Sequence, residues 1–180
     1  MEGQKERSVA WFKLADLIAR GEREKALSVF RLLAHSLPDK AYTLQVEGDI
    51  LWYMDDRAAA ERYRQAAVIY QKDKRFVDAI AIQEHLLTQR PEGYEPLVAL
   101  LVLYALTDWP DRFTARFDQL LAKFKQRALD VPQFEKALRD IAQTMTDGTD
   151  GTKKDWLCAW FHEVIPLLPP EVVAQVAGLF

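Results

Sequence analysis

The sequence predicts an all-α fold, an antiparallel helix-hairpin solenoid of about ten helices. Three observations carry this. The seven Gly and eight Pro of the 180 residues fall almost entirely at the ends of segments of helical length, where chain breakers belong. Val and Ile do not gather in alternating runs, so no segment reads as a strand. A pattern of large and small residues in the first segments returns 33 residues on: Trp11 maps to Leu44, Ala26 to Ala59 and Phe30 to Tyr63. Self-similarity at such a period is the mark of a repeat.

The elements follow in order. A first helix, about 6–20, is closed by Gly21, whose missing Cβ suits a left-handed cap. A second, about 23–36, stops before Pro38. Asp39 caps a third, about 40–54. Asp55 and Asp56 turn the chain and cap a fourth, about 57–73. A fifth, about 76–89, ends ahead of Pro91 and Gly93. The sixth, about 94–107, contains the apolar run Leu97–Leu106, half the length a membrane span needs. It reads as a central helix covered on all sides. Trp109-Pro110 starts the seventh, about 110–127, with Pro in the first turn, where its missing N–H costs nothing. Asp130 and Gln133 form a capping box for the eighth, about 131–146. Residues 147–152, with two Gly among short polar residues, read as a linker. Thr152 and Asp155 open a ninth helix, about 153–165, and Pro169-Pro170 a tenth, about 170–178. Connections of two to four residues make successive helices antiparallel. The expected organisation is a repeat domain at 1–146, the linker at 147–152, and a C-terminal helical hairpin at 153–180.

Within the first segments, Trp11-x2-Leu14-Ala15-x2-Ile18 is followed by Ala26-x3-Phe30 and Pro38. Leu44-x2-Glu47-Gly48-x2-Leu51 is followed by Ala59-x3-Tyr63. Over residues 6–91 the chain resembles the tetratricopeptide family of helical repeats. Ala15, Gly48, Ala26 and Ala59 are expected where two helices cross closely, with Phe30 and Tyr63 filling the space beside them. The chain departs from the family pattern in three ways. The spacing to the alanine is one residue short, Glu47 stands where Leu is usual, and no Pro closes the second unit. A third match, Tyr63-x2-Ala66-Ala67-x2-Tyr70, uses another register and implies a fourth helix packed on both sides.

The resemblance implies that the first helix of each pair lines a concave groove for a partner protein. Carried over by the motif, the partner-binding positions are Phe12, Asp16 and Arg20 in the first unit. In the second they are Tyr42, Gln45, Asp49, Trp52 and Tyr53. The run Trp52-Tyr53-Met54 points all round its helix, so it is either buried between neighbours or turned in part toward a partner. The family's clamp for a C-terminal carboxylate is not seen. Asp16 and Asp49 favour a basic or apolar peptide or helix instead. In the C-terminal hairpin, Trp156, Leu157, Trp160, Phe161 and Val164 share one face. That face is either a docking surface or a cap on the end of the stack.

Composition bounds the rest. Charged residues are 28%, hydrophobic residues 49%, and the net charge is −3, as in an ordinary folded chain. There is no basic patch for nucleic acid. The single cysteine, Cys158, suits a reducing compartment. With no apolar stretch behind the N-terminal residues to make a signal peptide, a cytoplasmic location is expected. His35, His85 and His162 lack ligand spacing, and Cys158-x3-His162 makes neither a metal site nor a nucleophile pair. No metal, cofactor or catalytic residue is expected. The sequence thus points to an interaction module, an adaptor or scaffold. A chaperone for an aggregation-prone or secreted partner is the alternative. A ligand-binding or enzymatic domain with a pocket under Leu97–Leu106 is the third possibility.

Overall fold

The computed structural model describes residues 2–37, 39–144, 155–168, 170 and 172–173. Among these the chain forms nine α-helices: α1 (Glu2–Ala19), α2 (Arg23–Ala34), α3 (Lys40–Tyr53), α4 (Ala59–Lys72), α5 (Phe76–Gln89), α6 (Glu95–Leu106), α7 (Pro110–Lys125), α8 (Val131–Gln143) and α9 (Asp155–Val164). A 3-10 turn follows at Ile165–Leu167, and no strand occurs among the described residues. The fold is all-α. The linker at 147–152, with Thr152, lies outside the described residues. Of the tenth expected helix only residues 170, 172 and 173 lie inside them.

Side chains satisfy the first N–H groups of α3 and α8, while α2, α4, α6 and α7 begin without a side-chain cap. Asp39 accepts from the Tyr42 N–H at 2.7 Å. That bond first, and then Arg75 at 2.7 Å, holds the Asp39 carboxyl below its ordinary range. Asp56 accepts from the Ala58 N–H at 2.9 Å within the turn, but it does not cap α4, whose N-cap is Ala58 and which starts two residues later than the sequence suggests. Asp130 and Gln133 form the expected capping box. At its start α1 runs back to Glu2 rather than to about residue 6, since residues 4–7 are good helix formers.

The ends share one device. After α1, α3, α4, α6 and α7 a residue turns left-handed, and the next N–H reaches back five residues to a carbonyl. The left-handed residues are Gly21 (φ 70°), Asp55 (54°), Lys74 (58°), Asp108 (56°) and Arg127 (58°). Gly21 is legible in the sequence; the other four carry a Cβ that disfavours this conformation by about 1–2 kcal/mol. Lys74→Gly and Arg127→Gly remove that penalty and add about 0.5–1 kcal/mol of unfolded-state freedom. Each is expected to stabilise by up to about 1 kcal/mol, read as a higher urea midpoint. A lower midpoint in both would contradict the assignment.

The chain divides into two compact units, 1–82 and 83–180, with the boundary inside α5. In the first, α1 packs on α2, α2 on α3 and α3 on α4. Residues related by the offset of 33 lie in its core. Ala26 and Ala59 are both fully buried, and Phe30 and Tyr63 lie buried beside them. A Cβ added to Gly48 would sit 2.9 Å from the Tyr63 ring, so glycine is required for this approach. Tyr63, Ala66, Ala67 and Tyr70 are all buried, but they fall within one sector of about 100°, so they mark one covered face of α4 rather than the two-sided packing the sequence suggests. Ala15 is a correction. It is exposed, because Leu14 and Leu17 are the residues of α1 that turn inward.

In the second unit α6 packs on α7 and on α8. Leu97, Leu100, Leu101, Leu103, Tyr104 and Ala105 are buried. Val98, Ala99, Val102 and Leu106 are only partly covered, so α6 is less enclosed than its composition suggests. Glu84 of α5 accepts from the Tyr104 hydroxyl at 2.5 Å and from Arg116 of α7 at 2.5 and 3.3 Å. Burial and then the bond to Glu84 push the Tyr104 phenol up to about 12, so it stays a donor that ties α6 to α5.

Candidate functional site

The expected partner-binding residues gather on the outward faces of α1 and α3. On α3, Tyr42, Gln45, Asp49, Trp52 and Tyr53 fall within a sector of about 100°, at about 100° per residue. On α1, Phe12 and Asp16 occupy the matching sector, and Arg20 follows just past its end. The two stripes correspond position by position at the offset of 33. Phe12 maps to Gln45, Asp16 to Asp49 and Arg20 to Tyr53. Val9 maps to Tyr42 and was missed by the motif, although the offset alone would have found it. Val9 is 61% exposed.

These stripes are rich in exposed apolar surface. Phe12 is 77% exposed, Tyr53 72%, Trp52 40% and Tyr42 39%. Of the run Trp52-Tyr53-Met54, then, two aromatics reach solvent while Met54 is partly covered. Single exposed apolar residues are ordinary, but aromatics repeated along one face are the surface that interfaces select.

The polar members of the stripes are partly committed to the fold. Asp16 and Arg20 bind each other in a two-point pair at 2.9 and 3.1 Å. Asp49 accepts from the Tyr63 hydroxyl at 2.7 Å, and Gln45 from the Tyr70 hydroxyl at 2.9 Å. Burial first, then Asp49, raises the Tyr63 phenol well above its ordinary value. It therefore remains a donor at any ordinary pH. The stripe on α3 borders α4, and its polar groups are positioned by tyrosines that the core holds still.

The aromatic face of α9 is engaged within its own unit. Trp160 stands edge-on to Phe113 at 4.9 Å and to Phe117 at 4.4 Å. Trp156 stands edge-on to Phe113 at 5.4 Å and donates its Nε1–H to Asp108 at 3.1 Å. Phe161 is buried and Val164 partly covered. The face thus lies on the aromatic core of α7.

Two open clefts lie on the first unit. One, of about 360 Å³, is lined by Lys13 and Leu17 of α1 and by Lys25 and Val29 of α2. The other, of about 540 Å³, lies between α3 and α4 around Leu44, Val68 and Ile69. Among the described residues no three His, Cys, Asp or Glu side chains are grouped so as to hold a metal ion. No helix among them is long and apolar enough to cross a membrane. No family of known proteins, no curated protein and no solved structure matches the chain.

Proposed function

We propose that this chain is a tetratricopeptide-like interaction module of the cytoplasm, an adaptor or scaffold that works by binding. It holds a peptide or helix of a partner protein in a concave groove formed by α1 and α3. The observation that carries this reading is the pair of matched stripes. One offset of 33 residues aligns exposed Val9, Phe12, Asp16 and Arg20 with Tyr42, Gln45, Asp49 and Tyr53. Repeats that stack bring such stripes side by side and make an extended surface. The partner's chemistry is apolar with some basic character, because exposed aromatics and a carboxylate recur in both stripes.

The test is capture of a partner from the source cell, followed by affinities of Trp52→Ala and Tyr53→Ala. Large aromatics dominate interface energetics, with truncation costs of about 2 kcal/mol or more, about 30-fold in affinity. At least one variant is expected to lose that much. Tyr53→Ala should melt almost as the parent does, since an exposed side chain contributes about 0.5 kcal/mol or less to folding. Normal binding by both variants would show the groove assignment to be wrong.

A further inference from the structure

The geometry points to a second docking surface on the first unit, the cleft between α3 and α4, which receives an acidic amphipathic segment of a partner protein. This cleft is not the groove proposed above. Lys40 and Leu44 stand two residues to either side of Tyr42, about 200° round the helix from it. They therefore lie on the side of α3 opposite the aromatic stripe. The cleft is open to solvent and offers about 540 Å³, within the range of about 300–1,000 Å³ typical of ligand sites.

Its floor is apolar and its rim basic. Leu44 and Ile69 are partly covered and Val68 is 52% exposed, so an aliphatic or aromatic side chain has a surface to bury against. Around them stand Lys40, Arg62 and Arg64, with Glu61. Arg62 is paired with Glu47 at 3.2 Å and Arg64 with Glu61 at 2.9 Å. Lys40 is exposed and takes part in none of the ion pairs among the described residues. Three cations thus face two carboxylates. A guanidinium has five N–H donors; Arg62 uses its Nε and Nη1 groups and Arg64 its Nη1 group in these pairs and in the 3.1 Å bond to Gln65. Donors therefore remain for an incoming carboxylate, while an incoming cation meets the excess positive charge. The complementary ligand sets one apolar side chain on Val68 and Leu44, with Asp or Glu on either side of it, as a helix or strand seated in a groove does.

The test uses the full chain and a displayed library of random twelve-residue peptides, with counter-selection on Val68→Asp and Lys40→Glu. Both substitutions are at exposed side chains, and thermal melts check that the variants fold. The expected result is a consensus combining Asp or Glu with Leu, Ile or Phe. Its affinity should fall about tenfold or more in either variant and fall with added salt. It should be unchanged in Phe12→Ala and Tyr53→Ala, which separates this cleft from the aromatic groove. A basic consensus, or no consensus that the variants lose, overturns the proposal. So does a dimer of the chain that Val68→Asp dissociates, or saturable binding of dodecanoate that displaces the selected peptides.

Discussion

Ala26→Arg and Ala59→Arg are each expected to unfold the first unit rather than to alter a surface. Both alanines are fully buried, at the crossings of α1 with α2 and of α3 with α4. Arginine there needs space that the packed core lacks and brings a charge with no partner. Overpacking costs about 1–3 kcal/mol and an uncompensated buried charge about 3–5, against a total stability of about 5–15. Thermal unfolding followed by circular dichroism reads the effect. Unchanged melts in both would mean that the 33-residue register is wrong. Gly48→Ala tests the same crossing more gently. Alanine in a helix interior ordinarily stabilises by about 1 kcal/mol relative to glycine. Here its Cβ would meet the Tyr63 ring at 2.9 Å, and that ring is held by burial and by Asp49. The substitution is therefore expected to destabilise, by about 1–3 kcal/mol.

Removal of residues 153–180 is expected to lower the melting temperature and cause aggregation. Trp156 and Trp160 stand against Phe113, and Trp160 also against Phe117. Phe113 and Phe117 are fully or almost fully buried in the intact chain, and the deletion opens them to water. An aromatic side chain buries about 150–250 Å², worth about 25 cal/mol per Å². Losing two tryptophans and Phe161 thus costs several kcal/mol. Sedimentation and thermal melts of residues 1–152 decide the matter. A soluble monomer with an unchanged melt would mean that α9 is a separable docking arm, not a cover for α7.

The existence and order of the nine described helices were legible because the signals are local. Asp39, Asp130 with Gln133, Pro110 and Gly21 each act within four residues of themselves, so reading along the chain finds them. The offset of 33 residues was legible because Ala26 and Ala59, and Phe30 and Tyr63, are matched residue types along the chain, and all four are buried in the first unit. Ala15 was misread because the motif names a position without showing which way the helix is turned. The four left-handed ends at Asp55, Lys74, Asp108 and Arg127 were not legible as such, since the cost of a Cβ there is met by the hydrogen bonds of the closing turn.

Of the candidate site, the sequence by itself determined which residues share a helix face, for helical spacing alone puts Tyr42, Gln45, Asp49 and Tyr53 together. Only the tertiary structure decided which of them reach solvent and which are tied to the fold. Burial depends on what a neighbouring helix covers, and no local spacing carries that information. So Phe12 and Tyr53 stand out into water, while Gln45 and Asp49 accept from tyrosines on α4 that are 25 and 14 residues away. The cleft around Lys40, Leu44 and Val68 was invisible for the same reason: its floor and rim come from two helices and exist only once α3 has packed on α4.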